Sequence, residues 1–507
     1  MVKSEAAVAI EAEFSKGDTQ EHVEEVALAR VTEEDLWKLS QESLNVWSWT
    51  GFRLGLIMFI HGCNQAGFGV DWGLLAVSIP WIRGMNISAL IGTVCGAPFM
   101  ALADVIGRRG INFTGNAIVI FAALLQGLAI NLPMFMAGRF FMGFGTALMS
   151  SSQYIGEISP VHLRGRMVGF FGACFQVGSL TMLGAMIGLS TLPGNLCWRI
   201  PLILEALFPA IVCLGIYLIT PESPRYYVMR GNRQKAKEII AKYHTTSTDV
   251  NEPIVEIVVR QIEESLESDR DRSGTRAFWD YRVFFTKTAR YRLLVLVLYS
   301  IFQQWNGGSI ITYYMTPSLQ QLGIDRTKQQ LGITIGTTAV YFVFTAVGSF
   351  LVDKFRRRTL IFIGLISMIV FQTATTITSW QYSLHANTAV AALTLLWIFL
   401  YQTFSATFVA TMHNLLIQGG AGAAQTYGIG VGIAKVGYKI WVVYIVYNTI
   451  QLVLSYFIFP ETAGLSLEEI DTVFETPGVA PVKMSLDIQQ AKKERSAAGR
   501  DEETRFG

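Results

Sequence analysis

The residues PESPRYYVMRGNRQKAKEIIAKY (221–243) interrupt an otherwise apolar chain. They open a charged segment, 221–290, in which Lys, Arg, Glu and Asp recur at helical spacing. A long apolar half lies on each side, and both halves carry the same signal. ALADVIGRRG (101–110) and FLVDKFRRRT (350–359) each run from apolar residues into Asp and then two or three arginines. Two similar apolar halves around a charged centre are the pattern of a duplicated membrane transporter.

Composition supports that reading. Of 507 residues, 51% are apolar and 15% charged, with mean hydropathy +0.39; globular chains carry about 25% charge. A bilayer span needs ~20 mostly apolar residues. Such runs fall at 54–70, 87–105, 111–130, 134–155, 167–189, 200–218, 293–315, 331–352, 360–378, 389–410 and 440–459. An eleventh span has to fit within IQGGAGAAQTYGIGVGIAK (417–435), which is glycine-rich and short for the purpose. The expected fold is an all-α integral membrane protein with twelve spans in two six-helix halves, 49–220 and 291–460. A polar tail (1–48), the central segment (221–290) and a charged tail (461–507) complete it.

Arg108, Arg109, Arg164, Arg166, the central segment and 354–358 fall on one side of this topology, and the opposite loops are nearly free of Lys and Arg. The positive-inside rule places that side, with both termini, in the cytosol. The net charge of +2 gives no reason to expect a nucleic-acid partner. The five cysteines have no paired spacing, so neither a disulfide framework nor a metal site is expected. The six histidines are scattered, and no phosphate loop or nucleophile–base pattern occurs. An enzyme is not expected, nor any cofactor, and a monomer is the default.

Eight motifs in order then resemble the sugar-porter branch of the major facilitator superfamily, especially its fungal hexose and lactose-permease-like members. They are DVIGRR (104–109), AGRFFMGFG (137–145), YIGEISPVHLRGR (154–166), WRIP (198–201), PESPRYY (221–227), QQWNGG (303–308), DKFRRR (353–358) and PETAG (460–464). The resemblance implies a plasma-membrane transporter that moves a sugar by alternating access, with a proton as co-substrate. Export, uncoupled facilitation and non-transporting sugar sensing are the other readings.

Residue chemistry names candidates beside the resemblance. Arg139 lies inside the fourth span, where an unpaired cation costs several kcal/mol, and Asp71 is the acid of the first span. The resemblance makes Asp71 the protonation site and Arg139 its partner if the family's GYD falls on GVD (69–71). If it falls on GCN (62–64), Asn64 replaces the acid. Glu205 stands where the family carries Gln, either as a second proton site or as an acid in place of an amide; the second reading is preferred. Asp104, Arg108, Arg109, Glu157 and Arg164, with Asp353, Arg357 and Arg358 in the second half, are candidates for an inner gate of ion pairs. The plain alternative is that they anchor helix ends at the headgroups.

A sugar's hydroxyls suit amides, and its apolar face suits an aromatic ring. Gln303, Gln304 and Trp305 supply both, Gly307 and Gly308 permit a helix break there, and Gln176 is a further candidate. Several polar positions of the family are replaced, among them by Gly172, Ser309 and Tyr341. Span ten lacks the usual GPxxW. The second half has drifted, so a disaccharide, polyol or other hydroxyl-rich substrate also fits.

Overall fold

The computed structural model describes residues 33–76, 83–189, 192–273, 287–308, 315, 318–320, 322–351, 357–385, 387–408, 439–461, 473–474 and 479–490. Among these residues the chain is helical and contains no strand. The first span is Trp49–Ala76. The second is Arg83–Gly96, continued by a 3-10 turn over Ala97–Leu102. The third is Ala103–Gly127, the fourth Leu132–Leu148 with Ser151–Ile158, and the fifth Arg164–Leu189. The sixth is in two pieces, Leu196–Leu204 and Leu207–Ile219. In the second half, Lys287–Gln304 begins the seventh span. The eighth, ninth and tenth are Thr327–Leu351, Arg357–His385 and Thr388–Phe408, and the twelfth is Ile440–Ile458. The proposed eleventh span lies outside the described residues. Among the described residues, eight stretches are long and apolar enough to cross a membrane by length and composition.

Within the first half, spans one and five touch backbone to backbone. A Cβ at Gly69 would overlap the Phe175 carbonyl, and one at Gly178 the Ala66 carbonyl. Small residues allow this approach where lipid supplies no hydrophobic drive for association. The Ser179 hydroxyl adds a hydrogen bond to the Gly69 carbonyl, 2.7 Å. Between the halves, Leu183 and Met186 of span five pack on Leu331 and Ile335 of span eight.

The central segment folds into helices Pro224–Met229, Arg233–His244 and Pro253–Ser273 at the arginine-rich end. The tail before span one is polar in sequence, yet its Glu33–Ser43 is a helix docked on this segment. Its Leu39 packs into the cluster of Ile240, Ile254, Val255 and Val259. Its Ser40 hydroxyl bonds His162 Nδ1 at 2.8 Å, and the Thr246 amide donates to the Ser43 carbonyl at 2.9 Å. Leu36 and Leu39 sit one turn apart, a stripe too short to stand out in a polar stretch.

His244 closes the second central helix and is buried there. Its Nε2 donates to the Ile158 carbonyl at 3.1 Å, so its Nδ1 is the bare nitrogen. Burial, with Arg164 and His162 nearby, holds its pKa at about 4 against an ordinary 6.5. The folded chain therefore keeps this ring neutral where the unfolded chain protonates it. The docking is unaffected above pH 6.5 and weakens as pH falls from 6.5 towards 4, by up to ~3 kcal/mol. Amide exchange over Arg233–His244, corrected for intrinsic rate, should rise on acidification and lose most of that rise in His244→Gln. Equal pH dependence in both proteins would contradict this.

Candidate functional site

Two polar systems occupy the first half. Deep in the bundle, Arg139 of span four is 0% exposed and its Nη1 is paired with Asp71 Oδ1 of span one. The guanidinium also lies 5.7 Å from the Phe135 ring centroid, while its Nε and Nη2 meet no acceptor. The sixth span breaks at Glu205 and Ala206, after Pro201, and this break delivers a second acid. Glu205 is 1% exposed, within electrostatic reach of Asp71 and Arg139, and neither of its carboxyl oxygens meets a hydrogen-bond partner. The chain neighbours Val70 and Leu204, with Phe135 beside the guanidinium, belong to one apolar cluster with Met182, Leu202 and Phe208. Of the two alignments open to the sequence, the geometry sets Asp71 opposite Arg139. Asn64 lies elsewhere, donating to Asn112 Oδ1 at 3.1 Å and to the Ser151 hydroxyl. The preferred reading of Glu205, an acid standing in for an amide among hydrogen bonds, did not anticipate a carboxyl beside Asp71.

Nearer the arginine-rich end, Arg108 is 1% exposed. Its Nε and Nη2 grip Glu157 at 3.1 and 3.0 Å, and its Nη1 meets Asp104 at 2.5 Å. The Ser223 hydroxyl also donates to Glu157. The Glu222 carboxylate caps a break in span three, accepting from the amides of Arg108 (2.8 Å), Arg109 (3.3 Å) and Ser223 (3.1 Å). Burial pushes the Glu222 carboxyl up from its ordinary value, against the pull of these amides and of Arg109. The Tyr154 hydroxyl donates to the Pro221 carbonyl at 2.8 Å. These ties join spans three, four and six of one half to each other. Arg164 opens the fifth span and is exposed.

The second half repeats part of this arrangement. Arg109 Nη2 donates to the Tyr217 carbonyl at 2.9 Å and the guanidinium stacks over that ring at 4.8 Å. Arg358 Nη2 donates to the Tyr456 carbonyl at 2.6 Å and stacks over its ring at 5.2 Å. The Arg109 amide meets Glu222, and the Arg358 amide meets Glu461 at 3.2 Å. The signal was present in the sequence as YLITPE (217–222) and YFIFPE (456–461), and the sequence reading missed it. Asp353 lies outside the described residues. Arg357 begins span nine, and its side chain is also outside them.

The sequence reading missed a further polar chain. His61 Nδ1 and the Ser151 hydroxyl are 2.8 Å apart, Ser151 donates to Asn112 Oδ1 at 2.9 Å, and Asn112 Nδ2 donates to the Arg108 carbonyl at 2.7 Å. Asn116 continues it one turn along, its Nδ2 on the Asn112 carbonyl at 2.7 Å. Arg108, Asn112 and Asn116 at spacing four share one face of span three.

In the second half, Gln303 and Gln304 end the first helix of span seven, and their side chains lie outside the described part. Trp305 is 37% exposed and packs against Tyr447 at 5.7 Å. Gln176 is half-buried on span five. The expected break at Gly307 is present, with φ +93°.

Residues 73–474 match the family model of sugar (and other) transporters. The chain belongs to this transporter family. Among curated relatives, it is 28% identical to the major facilitator-type transporter ecdD of Aspergillus rugulosus, over 77% of this chain and 76% of that one. It is 27% identical to the facilitated glucose transporter member 1 of Gallus gallus (79% and 84%). It is 25% identical to the myo-inositol transporter 1 of Saccharomyces cerevisiae (81% and 74%). The fold is that of the xylose transporter XylE from E. coli in a partially occluded inward-open state. That match has TM-score 0.67 at 20% identity and covers 82% of this chain and all of the other. The protein is a multi-pass membrane transporter of the major facilitator fold, and its relatives are transporters rather than enzymes.

Gly107 marks the span-three break with φ +84°, and a Cβ there would overlap a Glu222 carboxylate oxygen. Gly107→Ala should lower stability by about 1–3 kcal/mol, read as a fall in Tm in detergent. The part of that loss due to the carboxylate contact should vanish in a Glu222→Ala background, and the part due to the positive φ should remain. A loss unchanged there would show that the carboxylate is not what the methyl meets.

Proposed function

We propose that the protein moves a sugar or polyol across the membrane together with protons, by alternating access of its two halves, with the arginine-rich end in the cytosol. The observation that carries this reading is the buried cluster of Asp71, Arg139 and Glu205. One guanidinium balances one carboxylate, so two acids and one arginine in an apolar wall balance only when the acids share a proton. A site that gains and loses that proton as it faces the two sides in turn is a coupling device. Asp71 and Glu205 carry the proton, and Arg139 is released or held according to their state. The name of one solved neighbour, a proton:xylose symporter of the major facilitator superfamily, agrees with that reading. The myo-inositol and glucose transporters among the relatives support a hydroxyl-rich substrate.

Trp305 provides the aromatic face for the sugar ring, with Gln303, Gln304 and Gln176 as the amides that meet its hydroxyls. The Arg108–Glu157–Asp104 and Glu222 ties keep the cytosolic end of the first half rigid, so that the half moves as one body.

Uptake of labelled D-glucose, D-xylose and myo-inositol in transporter-deficient yeast tests this at two external pH values. One of these solutes should accumulate above equilibrium, more strongly at low pH. Asp71→Asn should abolish accumulation while leaving equilibration, and Glu205→Gln should weaken the pH dependence. Accumulation in Asp71→Asn equal to wild type would refute the assignment. No uptake at either pH by protein at the surface would refute import of these solutes.

A further inference from the structure

The seventh span stops part-way. Its first helix ends at Gln304, Gly307 takes φ +93°, and Asn306 joins the two sides of the break. Asn306 Oδ1 accepts from the Gly308 amide at 2.8 Å, the local turn that an Asn-Gly pair favours. This leaves the Asn306 carbonyl outside the helical ladder, in a bundle where each backbone polar group must find a partner.

Three side chains from three other spans converge on that oxygen. Gln372 Nε2 of span nine donates at 2.7 Å, Asn448 Nδ2 of span twelve at 3.1 Å, and the Tyr401 hydroxyl of span ten at 3.2 Å. Asn448 Nδ2 also donates to Gln372 Oε1 at 2.8 Å, which ties the donors together. All three donors are fully buried. A carbonyl has two lone pairs, so three donors are more than satisfaction requires. Polar side chains inside spans are costly and commonly functional. Gly307 is fitted to the group as well: a Cβ there would stand 2.6 Å from Gln372 Nε2 and 3.3 Å from the Tyr444 ring.

We propose that the Asn306 carbonyl is the anchor about which the seventh span hinges. Gln372, Tyr401 and Asn448 are positioning residues that fix it to spans nine, ten and twelve. Trp305 stands immediately before the anchor, so the clamp also sets where the aromatic wall of the transport site lies. The inference rests on the chain being a transporter and is independent of its substrate and of proton coupling.

The test uses full-length protein with Gln372→Leu, Asn448→Leu or Tyr401→Phe, the last removing only a hydroxyl in case a leucine variant fails to fold. Amide exchange over 301–308 should become about tenfold faster, the scale of one lost buried hydrogen bond. Exchange in the first half should stay unchanged. Maximal uptake of labelled D-glucose or myo-inositol, per surface molecule, should fall more than half-saturation changes. Unchanged exchange at 301–308 would overturn the anchor. So would exchange rising equally throughout spans nine and twelve, which is the mark of general packing loss. If wild type transports neither probe, the proposed substrates fail, and the exchange measurement still decides the anchor.

Discussion

A permanently charged guanidinium with no exposed surface is the constraint on which the first half depends. Arg139 cannot shed its proton, and breaking a buried pair by removing one partner costs about 3–5 kcal/mol. Span one must therefore bring an acid to its depth, which Asp71 does. Once that pair exists, Glu205 introduces an excess negative charge into the same apolar wall. The proposed proton coupling uses that second acid, which lies at the break of span six after Pro201.

The two halves share a device at their arginine-rich ends and differ at their centres. In each half an arginine stacks on a tyrosine, donates to that tyrosine's carbonyl, and offers its amide to a glutamate five residues further on. The glutamate follows a proline, so it falls just after a span has ended, where its carboxylate can turn back to cap another helix. The first half buries a charged pair, Asp71 and Arg139, beside a neutral chain of His61, Ser151, Asn112 and Asn116. At the centre of the second the polar groups are neutral amides and a hydroxyl around one backbone carbonyl.

The spans were legible because twenty apolar residues in a row have few other uses, and the Asp71–Arg139 pair because an intramembrane cation needs an acid. The break in span seven was legible in WNGG, where glycine supplies the positive φ observed at Gly307. The company Glu205 keeps was not, since nothing local tells which way a carboxyl beside a helix break points. Gln372 and Asn448 escaped notice for a related reason: a single amide in an apolar run looks the same whether it meets lipid, a neighbour or a stranded carbonyl. The docked helix Glu33–Ser43 was hidden by its polar composition, because its burial depends on the central segment, some two hundred residues away in the chain.

The most direct test of the central claim is infrared difference spectroscopy of the purified protein, following the protonated-carboxyl stretch across neutral pH. The account predicts a protonated-carboxyl component in wild type that changes in Asp71→Asn or Glu205→Gln and is lost in the double variant, any signal from Glu222 remaining in all of them. A wild-type spectrum with no such component, or a double variant whose spectrum matches wild type, would contradict a proton shared by these two acids.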